Sequence, residues 1–217
     1  MSDYFLRSPF LGQVDQGTRC ASASLASEDR MRLLRTDQAS AHSANISLRK
    51  PAMNHTEMIA LWEEHISHEF STRDVDSTIA TMVEDAYVNH VPVLTGGYGH
   101  AALRRFYAED FITSMPADTT IHPISRTLGQ DQLVDEMIFS FTHTQEMPWM
   151  LPGVPPTHRR VEIPLVVVVG FREGQLAHER IYWDQASVLK QIGLLTDPSL
   201  PVFGAETAHK LLDPATP

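Results

Sequence analysis

The chain has 217 residues, of which 42% are hydrophobic and 20% charged, enough for one well-cored domain with an appendage. Its formal net charge of −10 lies in the body: residues 1–56 hold seven Arg/Lys against five Asp/Glu, and residues 57–217 hold ten against twenty-two. An acidic body argues against nucleic acid as a partner, no apolar run approaches the roughly 20 residues that span a bilayer, and the single Cys20 excludes an internal disulfide or a cysteine zinc site and fits a reducing, cytoplasmic setting.

Residues 1–53 read as an arm. The stretch from Thr18 to Ser47 is rich in Ser and Ala, with Arg19, Arg30, Arg32 and Arg35 among them. This composition suits a flexible segment or one that wraps a partner subunit; organelle targeting is the alternative, opposed by the acids Asp3, Asp15, Glu28, Asp29 and Asp37. A body follows over residues 54–197, and residues 198–217 form a tail.

Asn54 and Thr56 are suited to cap a helix beginning near Glu57, with Met58, Leu61, Trp62, Ile66 and Phe70 at helical spacing. His65 and His68, with Glu64 and Glu69 beside them, are expected on its solvent face. Asp74 caps a second helix that runs through Val75, Ile79, Met82, Val83 and Ala86. Tyr87 to Gly99, with Pro92, Gly96 and Gly97, reads as an extended piece and a loop. A third helix from about Gly99 to Ser114 buries Leu103, Phe106, Tyr107 and Phe111.

After Pro116 the period changes to that of strands. Thr119 to Thr127 and Asp131 to Thr144 pair through a turn at Gly129-Gln130-Asp131; Arg159 to Phe171 and Gln175 to Asp184 pair through Arg172-Glu173-Gly174. A short helix from Ala186 to Ile192 stops at Gly193. Three helices followed by a curved antiparallel sheet predict an α+β cone with a pocket inside. The centre of the third of these strands, Leu165 to Val169, is apolar on both faces, so its outer face also needs a cover; a homodimer supplies one.

Asp184 closes an aromatic strand and shares its parity with Tyr182, Arg180 and His178. If that face looks inward, Asp184 moves a proton while Tyr182 and His90 stabilise an oxyanion, and Arg180 and His178 bind the substrate. The alternative is that Asp184 caps the following helix. His90, beside Val91-Pro92 in an extended piece, is placed to point into a cavity. Asp135 and His143 share a face with Met137 and Phe139, Glu136 takes the other face, and Arg126 is placed to pair with one of these acids. Trp149 and Met150, in the proline-rich loop Met147 to Pro156, form an apolar lid over the pocket or a subunit contact. There is no His-Glu-x-x-His, Gly-x-Ser-x-Gly, Walker or dinucleotide glycine pattern, so no metal and no cofactor are expected.

The closing segment YWDQASVLKQIGLL (182–195) and the segment HVPVLTGGYGHAALRRFY (90–107) resemble the SnoaL-type, polyketide-cyclase-like branch of the nuclear transport factor 2-like cone folds, over roughly residues 57–195. The resemblance implies that cone fold and a metal-free pocket Asp acting as acid and base, which maps onto Asp184. The long arm and the Met147–Pro156 loop depart from the small cyclases. The reading that follows is a cofactor-free acid–base enzyme, of cyclase, isomerase or dehydratase type, acting on a small, mostly apolar, carbonyl-bearing substrate. A non-catalytic binding protein of the same fold, and a lactone or ester hydrolase using activated water, are the alternatives.

Overall fold

The computed structural model describes residues 52–216, so the arm expected over residues 1–53 lies almost wholly outside the described residues. Helix α1 (His55–Ser67) starts at a reciprocal cap: the Asn54 side chain accepts from the Glu57 N–H at 3.0 Å, and the Glu57 carboxylate accepts from the Asn54 N–H at 2.9 Å. A π-helical turn, His68–Thr72, extends α1 and ends at Arg73 in the left-handed region. Helix α2 (Val75–Ala80) is capped by Asp74 and is only six residues long.

The second helix was expected to run on to Ala86, but strand β1 (Met82–His90) begins there instead. The register of β1 against its neighbour slips between Met82 and Tyr87, so Met82, Val83 and Ala86 are all buried and the strand loses its alternation. A bulge of this kind imitates helical spacing. Strand β2 (Thr95–Tyr98) folds back on β1. Gly96 sits at φ +127°, and a side chain there would run into the Val88 carbonyl. Helix α3 (Gly99–Arg105) continues through a π-helical turn (Phe106–Phe111) and a final 3₁₀ turn (Ile112–Ser114).

Strands β3 (Thr120–Leu128), β4 (Gln132–Thr142), β5 (Arg160–Arg172) and β6 (Gln175–Trp183) complete one curved, open six-stranded sheet in the order β2-β1-β6-β5-β4-β3. Strands β3 to β6 pair antiparallel, as does β2 with β1; β1, which was expected to be partly helix and partly an extended piece, joins β6 in parallel. The concave face presents Leu133, Met137, Phe139, Phe141, Val161, Ile163, Leu165, Val167, Ile181 and Trp183, and α1 and α3 cover it with Met58, Trp62, Leu103, Phe106, Tyr107 and Phe111. The β4–β5 loop folds inward, burying Met147, Trp149, Met150 and Leu151 in the same core.

Helix α4 (Gln185–Gln191) follows β6 directly, and α5 (Glu206–Leu212) packs against β5 with Ala208 buried. The stretch read as a tail therefore carries a helix. Strand β5 outruns β6, and the Gln191 amide takes the missing neighbour's place: it accepts from the Glu162 N–H at 2.9 Å and donates to the Glu162 carbonyl at 3.0 Å. No helix among the described residues is long and apolar enough to cross a membrane.

Candidate active site

Between the helices and the concave face lies a cavity of about 560 Å³. Its wall is mostly apolar, with a few polar groups set into it, which is the usual character of a small-molecule site. Strand β6 sets the wall chemistry by its parity. Glu179, Ile181 and Trp183 are buried, with Glu179 and Ile181 on the cavity wall, while Tyr182 is 41% exposed and Asp184 is exposed. The face expected to look inward is thus the outer one.

That corrects the placement of four candidates. Asp184 lies outside the cavity and caps α4, accepting from the N–H groups of Ala186 at 2.9 Å and Ser187 at 3.3 Å. Tyr182 points to solvent. His178 stacks on Tyr87 with ring centroids 5.1 Å apart, and its Nε2 meets the Arg180 guanidinium at 3.0 Å. Burial and the Arg180 charge hold the His178 imidazole below its usual range.

One buried cluster stands where α1, α3 and β6 meet; its Glu69, Tyr107 and Glu179 line the cavity, and His65 does not. The Tyr107 hydroxyl donates to Glu179 Oε1 at 3.1 Å, and His65 Nε2 lies 3.0 Å from the same oxygen and 3.2 Å from Glu69 Oε1. On its other side His65 Nδ1 is 2.6 Å from Thr81 Oγ1. That hydroxyl donates to the Thr78 carbonyl at 2.6 Å, so it accepts from His65 Nδ1–H. Both ring nitrogens then carry protons, and His65 is an imidazolium between two carboxyl groups. Burial alone would lower its pKa, but Glu179 and Glu69 outweigh burial and raise it to about 10. Burial pushes the Glu69 carboxyl up, opposed by His65 and reinforced by the Glu179 charge, and burial raises the Tyr107 phenol well above its ordinary value.

The imidazole and carboxylate ligand atoms of this cluster lie within 4.8 Å of one another, a spacing that a cation could bridge. With His65 protonated, a metal ion bound there would have to displace its Nε2 proton.

His90 is among the residues lining the cavity, 3% exposed among Phe106, Phe111, Trp149 and Trp183, with ring centroids 5.2–5.9 Å away. Burial lowers its pKa to about 4, only partly offset by Glu179 and the Thr95 backbone, so the ring is neutral at physiological pH. Asp135 also lines the cavity, but its oxygens are taken: Arg126 holds them in a fork at 2.7 and 2.8 Å, and Trp62 Nε1–H donates at 2.7 Å. His143 is fully buried away from the cavity wall, its Nδ1 accepting from the Thr157 N–H at 3.3 Å, and burial and His158 lower its pKa. Of this loop Trp149 lies in the cavity wall, and Met150 is fully buried in the core and not among the lining residues.

Sequence reasoning placed His65 and Glu69 on a solvent face, whereas both are buried, and it missed Glu179 and Tyr107 as chemical groups. A signal for Glu179 was present: it shares parity with Ile181 and Trp183, the more apolar face of its strand. A signal for His65 and Glu69 was present too, since they continue the Met58, Trp62 stripe at helical spacing.

Residues 59–192 match the SnoaL-like polyketide cyclase family. TsrD from Streptomyces laurentii is 19% identical, over 66% of this chain and 99% of its own, with a TM-score of 0.50. AclR from Streptomyces galilaeus is 19% identical, over 66% and 89%, with a TM-score of 0.51. An NTF2-like protein from Burkholderia pseudomallei is 16% identical, over 65% and 99%, with a TM-score of 0.50. At these identities the likeness is one of fold. No curated protein matches the chain in sequence.

Proposed function

The chain belongs to the SnoaL-like polyketide cyclase family, and we propose that it is an acid–base enzyme acting on a small, mostly apolar, carbonyl-bearing molecule held in the cavity. One observation carries this reading: two carboxyl groups and a phenol on the wall of an apolar cavity meet one buried imidazolium within 3.0–3.4 Å. Two carboxyl groups this close to one another in low dielectric do not both ionise readily, and a pair of this kind holds one acid and one base.

Glu179, fixed by the donors Tyr107 and His65, takes the proton from the carbon next to the substrate carbonyl. Glu69, the carboxyl pushed up by burial, gives its proton to the carbonyl oxygen. The product of that exchange is the enol through which cyclisation, isomerisation and dehydration all pass. His65 stays protonated throughout and keeps both carboxyl groups in place. We further propose a homodimer, formed through the outer face of the sheet around Val166, Val168 and Tyr182.

Benzylacetone, a small apolar ketone, tests the chemistry in deuterated buffer. The protein should speed deuterium uptake beside the carbonyl, and Glu69→Gln or Glu179→Gln should remove about 10²–10⁴-fold of that rate. Uptake that is unchanged in both variants would refute the assignment.

A further inference from the structure

His65, Glu69 and Glu179 offer one imidazole nitrogen and two carboxylate oxygens, all from buried residues, a ligand set that suits zinc. His65 Nε2 stands 3.0 Å from Glu179 Oε1 and 3.2 Å from Glu69 Oε1. Two ligand atoms bonded to one tetrahedral zinc ion lie about 3.4 Å apart, so each carboxylate oxygen has to part from the nitrogen by only roughly 0.2–0.4 Å. The ligand atoms need no exposed surface of their own, because they already face one another. Magnesium and calcium match the set less well, since they favour oxygen ligands throughout.

The ring is held as a ligating imidazole is held. Its Nδ1–H donates to Thr81 Oγ1 at 2.6 Å, and that hydroxyl donates to the Thr78 carbonyl at 2.6 Å. A fixed partner on the far nitrogen sets the tautomer and aims Nε2, which is the part that outer groups play around bound metals. Metal motifs in the sequence do not register this set, because His65 and Glu69 come from α1 and its π-helical extension while Glu179 comes from β6.

Charge decides whether a buried site accepts a divalent ion. On the acid–base reading above, the metal-free cluster holds an imidazolium, one carboxylate and one carboxyl group, and is neutral. A Zn²⁺ ion with a neutral imidazole and two carboxylates is neutral as well. One ion thus replaces two protons, one from His65 Nε2 and one from the carboxyl pair, and no net charge is buried. Glu69, Glu179 and Tyr107 line the cavity, which gives the ion its way in and the protons their way out. We propose that this cluster is an inhibitory zinc site, in which His65 Nε2, Glu69 and Glu179 bind the ion in exchange for two protons. The bound ion takes the lone pair of Glu179 and leaves Glu69 without a proton to give, so the loaded protein no longer exchanges protons with a substrate.

Zinc titrated calorimetrically into the full chain at about pH 7, in buffers of different ionisation enthalpy, should release about two protons per ion bound at the cluster. In protein labelled with ¹⁵N in its histidines, zinc should remove the His65 imidazolium signal, a readout that requires no variant. His65→Gln and Glu179→Gln should each weaken binding about 100-fold or more. A His65 signal unmoved by excess zinc, or equal affinity in a folded Glu179→Gln protein, would overturn the site and leave only adventitious binding by other histidines. Deuterium uptake by benzylacetone separates this proposal from the acid–base reading. If zinc displaces the His65 proton but the metal-free protein never speeds uptake, the acid–base reading falls and the zinc site stands. If uptake is fast and zinc at saturation of the cluster leaves it unchanged, the inhibition is overturned. If uptake is fast and zinc leaves the cluster protonated, the zinc site falls and the acid–base reading stands.

Discussion

His65 and His90 are both buried, yet burial has opposite net outcomes for them because only His65 has carboxyl groups in contact. The folded pKa of His90, about 4, lies below its ordinary 6.5, so the stability linked to its neutrality is present above pH 6.5 and lost as pH falls toward 4. Over that window the full effect is on the order of 3 kcal/mol. His90→Asn should therefore flatten the acid limb of a thermal-unfolding profile between pH 6.5 and 4; an equally steep limb would show that His90 does not control it. For His65 the folded pKa is raised to about 10, so its contribution is complete below pH 6.5 and lost as pH rises through 10. Asp184 belongs to the same scale. With its side chain on the Ala186 and Ser187 amides, Asp184→Ala should cost about 1 kcal/mol in urea unfolding. It should leave deuterium uptake by benzylacetone unchanged, and a loss of uptake would return the chemistry to that residue.

At the scale of elements, strand β6 shows what was legible and what was not. Its existence, its pairing with β5 and the helix after it follow from period and turn residues. Which of its faces points inward depends on a single-residue parity, and the polar set His178, Arg180, Tyr182 and Asp184 drew attention away from Glu179, which shares the buried face with Ile181 and Trp183. Strand β1 was hidden for a different reason, because its bulge between Met82 and Tyr87 destroys alternation. The cluster was not legible as a unit, since His65, Tyr107 and Glu179 come from three elements far apart in the chain and only the fold brings them together. The hairpin of β1 and β2 depends on Gly96, at φ +127° against the Val88 carbonyl. Gly96→Ala should lower stability by about 1–3 kcal/mol in urea unfolding. An unchanged midpoint would show that the hairpin relaxes freely.

Among the described residues, the helices fill the concave face of a curved open sheet, and α4 and α5 contact β5. Tyr182 at 41% exposure, with the half-buried Val166 and Val168 beside it, leaves apolar surface on the outer face. Sedimentation at micromolar concentration should give twice the 24.3 kDa chain mass, reduced to one chain by Tyr182→Asp. A monomeric unaltered protein would contradict the proposed dimer. The proposed function depends on the inner face, where His65 lies between Glu69 and Glu179. The most direct measurement is the infrared carboxyl band of the unliganded protein above about pH 6, where ordinary carboxyl groups are ionised. A protonated-carboxyl band that persists there, vanishes in Glu69→Gln and survives in Asp184→Asn is the predicted result. Absence of that band, or its loss in Asp184→Asn alone, would contradict a proton held between the two cavity glutamates.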